Sequence, residues 1–213
     1  MIFPGKKMLV RVYEYSRRRA LFFRRWMKVP VIPTNKEGKV FLNVGCGFDS
    51  GPEFINVDVL PLPHIHYVRN ISDLSMFPNE SVDLLYASHV FEHIPRPNLD
   101  STLKEWRRVL KRGGTLRLSV PDFDNLVTAY INEGRQVDLV RDNVLGQEPP
   151  YDNHYTLWNE AKMNEVLEGA GFTNIRRWIP ETAAHHSFKD RSSRKIKAGD
   201  SEVLVSLNVE ADK

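Results

Sequence analysis

The sequence predicts an α/β chain built on a doubly wound, mostly parallel sheet, and three observations carry that expectation. Seven short apolar, β-favouring runs are spread between residues 39 and 209. Helical spacing of apolar residues separates the later runs, and strands alternating with helices favour parallel pairing. The first run ends in Gly45-Cys46-Gly47, a turn of the kind that delivers a strand end to a ligand.

Taken in order, residues 39–44 (KVFLNV) and 54–59 (FINVDV) are the first two strands, 66–71 is a third, and 82–87 (VDLLYA) is the fourth. Leu99, Leu103, Trp106, Val109 and Leu110 then recur at helical spacing, with Gly113-Gly114 expected to stop the helix. Residues 115–120 (TLRLSV) form the fifth strand, and a helix is expected over 123–133. Met163, Val166, Leu167 and Ala170 mark another helix, stopped at Gly171. Residues 172–179 and 202–209 supply the last two strands.

A chain of 213 residues, 41% hydrophobic and 27% charged, has the balance of a globular domain and excludes a disordered chain, a fibre or a coiled-coil rod. Its apolar runs fall far short of the ~20 residues of a membrane-spanning helix. The single cysteine, Cys46, has no intramolecular partner, which points to a reducing compartment and a cytoplasmic protein.

The net charge of +3 hides an asymmetry: residues 1–28 hold nine Lys or Arg and one acid, whereas the rest is net acidic. On a helix, Leu9, Val12, Tyr13, Ala20, Phe23 and Met27 share one face, opposite Arg11, Arg17, Arg18, Arg24, Arg25 and Lys28. Three readings fit: a lid docking its apolar face on the body, a helix meeting anionic membrane or phosphates, and a targeting peptide. Residues 29–35, with Pro30 and Pro33, read as an extended linker. The expected organisation is a basic amphipathic segment and linker over 1–35, then one domain over 36–213.

The chemistry concentrates at strand ends. Gly45 and Gly47 let the backbone turn sharply and let a ligand approach. Asp58, at the tip of the second strand, is placed to accept from ribose hydroxyls. Glycine turn and acidic strand tip together indicate a nucleoside-bearing cofactor. The rival reading, a nicotinamide dehydrogenase, expects its acid roughly 20 residues beyond the glycines.

On these residues the chain resembles the small, type 11-like class I S-adenosylmethionine-dependent methyltransferases, from about Lys39 onward. LNVGCG is similar to the family's first motif and the Asp58 strand tip to its second. Residues 71–74 (ISDL), 77–83 (FPNESVD) with 84–94, and 107–114 (RRVLKRGG) resemble three later motifs, and 154–158 with 167–172 its C-terminal helix. Arg112 stands where the family has proline, and Asn43 where it has an acid at the methionine amino group. Only thirteen positions separate Gly45 from Asp58, so the usual first helix is cut to a turn or so.

The resemblance implies a seven-stranded Rossmann-like methyltransferase fold with the last strand antiparallel, S-adenosylmethionine as cofactor, and methyl transfer as activity. It implies that Asn43, Gly45, Cys46 and Gly47 surround the methionine part, that Asp58 holds the ribose, and that Val59 and Leu60 lie beside the adenine. Asp73 would face the adenine amino group with Leu74 against the ring, and Ser88 and His89 would close the pocket.

His89-Val90-Phe91-Glu92-His93 spells the H-x-x-E-H signature of inverted zinc peptidases, which needs a sustained helix that Pro95 and Pro97 interrupt. Related O-methyltransferases of the ubiquinone and small-RNA types carry a Glu-x-x-Glu-His metal motif here, with His89 replacing its first Glu and His154 a further ligand. The expectation is that Glu92 and His93 cap and pack without metal. For a hydroxyl acceptor, His93 and His154 are the expected bases, with Asp122 a third choice. His185-His186 is expected in a solvated loop.

The expected acceptor is a hydroxyl of a small molecule or surface glycan, lipid-linked if residues 1–28 meet an anionic membrane. Two other accounts stay open: a methyltransferase-fold binding protein without catalysis, and a nucleic-acid-binding protein using its basic segment.

Overall fold

The computed structural model describes residues 30–147 and 152–213, together with Phe23. The amphipathic reading of residues 1–28 therefore lies outside the described residues, apart from Phe23.

Within the described stretches 30–147 and 152–213, nine strands and four α-helices form in chain order: β1 (Phe41–Val44), β2 (Phe54–Asp58), β3 (Tyr67–Val68), β4 (Val82–Ser88), α1 (Arg96–Val109), β5 (Leu110–Pro121), α2 (Phe123–Asn132), α3 (Val137–Leu145), α4 (Glu160–Gly169), β6 (Thr173–Arg177), β7 (Lys195–Ala198), β8 (Ser201–Leu204) and β9 (Ser206–Asp212). Seven of the strands make one sheet in the order β3-β2-β1-β4-β5-β9-β6. β1 to β5 pair in parallel, and β9 runs antiparallel between β5 and β6. The expected mostly parallel seven-stranded sheet with its last strand antiparallel is therefore present.

Strand side chains alternate between the two faces of the sheet. Leu42, Val44, Ile55, Val57, Leu85, Ala87, Leu116, Leu118 and Val120 face α1 and α4, whose Leu103, Trp106, Val109, Met163 and Leu167 complete the main core. Trp106 is fully buried and donates its indole N–H to Ile71 O at 2.8 Å, so a large apolar body enters the core without an orphaned donor. The opposite face carries Phe41, Phe54, Leu84 and Tyr86, covered among the described residues by irregular chain that brings Trp178, Ala183 and Phe188 onto it. No described helix fills the β1–β2 connection, as its length requires.

Arg117 of β5 fastens that cover. It is 4% exposed, binds Glu210 of β9 at 2.6 Å, donates to Ala184 O at 2.9 Å and lies 5.0 Å from the Trp178 ring centre. A smaller cluster joins α2, α3 and the β7–β8 hairpin through Leu126, Ala129, Val140, Ile196 and Val205.

Three boundaries differ from the sequence reading. α1 ends at Val109, not at Gly113-Gly114, because Leu110 turns extended and enters β5. Val82 pairs with Leu110 and Leu84 with Thr115, so the glycines lie in an irregularity of β5, where a Cβ on Gly114 would stand 2.9 Å from Lys111 O. The run over 202–209 is divided at Val205 into β8, which pairs with β7, and β9. Pro95 and Pro97 open α1 rather than only ending the preceding turn: Pro95 is its N-cap, and Pro97 sits in the first turn, where no N–H is needed. α3 and β7 had no expected counterpart.

Candidate functional site

The carboxyl ends of β1, β2 and β4 meet in one place, because β1 lies between β2 and β4. Two loops there are stitched by one carboxylate. Asp58, 5% exposed, accepts from Gly47 N at 2.8 Å through Oδ2 and from Leu60 N at 2.7 Å through Oδ1. His64 Nε2 donates to Gly47 O at 2.9 Å, so the glycine is held on both sides. Gly47 has φ +53, and a Cβ there would meet nothing within 4 Å. Gly45 differs: at φ +66, its Cβ position is filled by Val90, whose own Cβ would lie 2.9 Å away. Gly45 is thus bare to receive Val90, while Gly47 leaves open space.

Asn43 is 2% exposed; its Nδ2 donates to Asp49 O at 3.4 Å, and its Oδ1 has no partner among the described residues. A buried acceptor without a donor is a costly group. Cys46 is buried beside Leu62 and Ile65, and burial, with Asp58 second, pushes its thiol well above the ordinary range. Burial, and next Asp190, likewise raises the Asp49 carboxyl. Val59 is 44% exposed and Phe48 72% exposed, while Leu60 is partly buried.

The outer pair of expected residues does not join this group. Asp73 is exposed and its Oδ1 accepts from Ser75 N and Oγ, an Asx turn. Leu74 is wholly buried in the main core, with its N–H on Glu105 Oε1 at 3.0 Å, so its side chain offers no open face to a ring.

After Ser88, the last residue of β4, the chain makes a tight turn. His89 takes φ +51, an uncommon conformation for a residue with a Cβ, and its N–H is bonded to Ser119 O at 2.7 Å. A single 3-10 turn follows over Phe91–His93. Phe91 stacks on Trp158 with ring centres 4.8 Å apart, and Tyr155 N donates to Glu92 O at 2.8 Å. These contacts dock the chain around 152–158 against the turn, bringing His154 beside His93 with ring centres 4.8 Å apart.

Glu92 is completely buried. The expected capping role is not filled: the turn has no side-chain cap, and neither carboxylate oxygen makes a hydrogen bond within the described residues. His89 Nδ1 stands 3.4 Å from Oε1. Burial alone would raise this carboxyl, but His89 and then His93 outweigh it and hold it below its ordinary value. Burial, the largest influence, lowers the His154 imidazole. Asp152 Oδ1 lies 3.5 Å from His93 Nε2.

Asp122 is spent as the N-cap of α2, accepting from Asp124 N and Asn125 N. His185 and His186 are not solvated as expected. His185 packs on Phe41 at 4.5 Å, and His186 is buried 3.3 Å from Ser192 Oγ, itself bonded to Asp190 beside Tyr86. Asp49 and His64 were missed in the sequence because nothing in their spacing ties them to the glycines.

Residues 46–118, about a third of the chain, match a family model described as a methyltransferase domain. No curated protein matches the chain. Solved structures are similar in fold. One is a methyltransferase from Thermotoga maritima described as a possible histamine N-methyltransferase, 16% identical, TM-score 0.51, covering 95% of this chain and 96% of its own. Another is a methyltransferase from Archaeoglobus fulgidus, 15% identical, TM-score 0.51, covering 92% and 94%. A third is the 1,6-didemethyltoxoflavin N1-methyltransferase of Burkholderia thailandensis, 14% identical, TM-score 0.51, covering 100% and 91%, which holds S-adenosylhomocysteine. Residues 46–118 thus match a methyltransferase domain, and over nearly its whole length the chain shares the fold of these methyltransferases.

Proposed function

We propose that the chain binds S-adenosylmethionine across the ends of β1 and β2 and methylates a hydroxyl of a small molecule or glycan. The observation that carries the cofactor placement is the buried Asn43 Oδ1 without a donor among the described residues, on the strand beside the one that ends at Asp58 and four residues before Gly47, whose Cβ position is open. An ammonium group would supply Asn43 with the donor it lacks. Asp58 keeps lone pairs beyond the two taken by backbone N–H groups, which suits ribose hydroxyls. The exposed apolar surface of Val59, with Leu60, suits the adenine. Ser88 and His89 border the site from β4.

When bound, S-adenosylmethionine supplies an activated methyl on a sulfonium. The work left to the chain is to align the acceptor, exclude water and take the acceptor's proton. His93 and His154 support the last role: each is partly buried and neighbours the other, His93 in the turn that follows Val90, which packs on Gly45, and His154 on the chain docked against that turn.

Calorimetric titration with S-adenosylhomocysteine tests the cofactor placement. Asp58→Asn should weaken binding about ten- to a hundredfold, about 1.5–3 kcal/mol, with the fold checked by circular dichroism. Wild-type affinity in a folded variant would remove Asp58 from the site.

For residues 1–28, the segregated arginine face supports contact with an anionic membrane, which would suit a lipid-linked acceptor. The full chain should then co-sediment with phosphatidylserine vesicles and a chain lacking residues 1–28 should not. Equal sedimentation of both would dismiss the membrane role. No helix among the described residues is long and apolar enough to cross a membrane.

A further inference from the structure

His93 and His154 have their ring protons placed by the backbone. His93 Nδ1 lies 3.1 Å from Asn153 O and His154 Nδ1 lies 3.0 Å from Asn143 O. A carbonyl oxygen only accepts, so each ring donates from Nδ1 and, when neutral, keeps its lone pair on Nε2. Metal-ligating histidines are oriented in this way, with the far N–H held by a carbonyl. Beside them stands Glu92, wholly buried and without a hydrogen-bond donor among the described residues. A buried carboxylate is costly unless it is paired or bound to a metal. One ligand atom from each of the three residues lies within 4.8 Å of the others.

We propose that Glu92, His93 and His154 bind one divalent transition-metal ion through a carboxylate oxygen and two imidazole nitrogens. Such an ion, with bonds of about 2.0–2.2 Å, spaces its ligand atoms by about 3–3.5 Å. The ligand atoms must therefore draw together by up to about 1–2 Å when the ion binds. Two imidazoles and one carboxylate suit zinc, cobalt, nickel or iron(II); magnesium and calcium prefer oxygen ligands throughout. Three protein ligands leave positions open, as a catalytic rather than a structural ion requires. His89 flanks Glu92 from the far side. Its Nε2 is 2.7 Å from Ser206 Oγ, and that hydroxyl donates to Arg191 O. The ion's chemical use rests on the hydroxyl-acceptor reading: with both Nε2 lone pairs on the metal, the ion replaces the imidazoles as the group that promotes deprotonation, because a metal-bound hydroxyl loses its proton more readily than a free one. Binding of the ion does not depend on that reading.

The test uses full-length protein freed of metal by chelator dialysis and then titrated with zinc chloride in a calorimeter. One ion per chain is expected, with Glu92→Gln, His93→Gln and His154→Gln each at least tenfold weaker and His185→Asn unchanged. X-ray absorption of the zinc-loaded wild type needs no variant and should count two imidazoles on the metal. Failure of the wild type to bind one ion, undiminished affinity in any folded cluster variant, or a spectrum without two imidazoles overturns the inference. S-adenosylhomocysteine titrated into the same samples separates the two readings. If it binds and zinc does not, the metal site falls and the methyltransferase reading stands. If zinc binds and it does not, the reverse holds.

Discussion

Arg117→Ala should destabilise the fold by about 3–5 kcal/mol in urea denaturation, because it removes the buried cation of the ion pair with Glu210. Glu210 is left with one remaining cation, the partly exposed Arg176 at 3.0 Å, and Ala184 O loses its donor. The loss of the guanidinium beside Trp178 also frees the cover over Phe41, Phe54 and Tyr86. Replacing Arg117 by Met together with Glu210 by Leu should recover most of that loss, since no unpaired charge then remains. A single substitution costing under 1 kcal/mol would show that Arg117 does not fasten the cover.

The second large effect is expected at Gly45. Alanine there meets two penalties: a left-handed φ of +66 and a Cβ inside the volume of Val90. Strain and overpacking together should cost about 2–4 kcal/mol, read as a lowered thermal midpoint. Val90→Ala on its own removes a partly buried side chain at small cost. In the Gly45→Ala background it should instead restore stability, a coupling that a double-mutant cycle would measure. Additive effects would mean that Val90 does not press on the glycine. Gly47→Ala should show only the backbone penalty, because its Cβ finds open space.

Where the fold was legible in the sequence, the reason was periodicity. β1, β2, β4 and β5 are buried runs bounded by turn residues, and α1 and α4 show the apolar stripe that packs on them. The helix stop assigned to Gly113-Gly114 failed because glycine punctuates a strand irregularity as readily as a helix end, and only the pairing with Val82 distinguishes the two. β7 and β8 were lost because a short surface hairpin with the alternation of Ile196 and Ala198 gives a weak pattern. In the site, the meeting of Asp58 with the glycine turn was readable because both stand at the ends of adjacent parallel strands. Leu74 was misjudged because an apolar residue after a turn suits a ligand face and a core equally well. His93 and His154 were each named from chemistry alone, but their meeting depends on the docking of Trp158 on Phe91, which no local pattern encodes.

The placement of β9 bears on how the chain is made. Among the described residues β6 has no partner in the sheet other than β9, which begins about thirty residues after β6 ends. At about 5–20 residues per second, a ribosome takes about 2–7 s to deliver residues 206–212 after β6 has emerged. Throughout that interval the outer edge of β5 and both edges of β6 stay unpaired, with the buried faces of Leu116, Leu118 and Val120 incompletely covered. The nascent protein therefore passes through a sheet with a gap in it, and holding chaperones have their main opportunity in those few seconds.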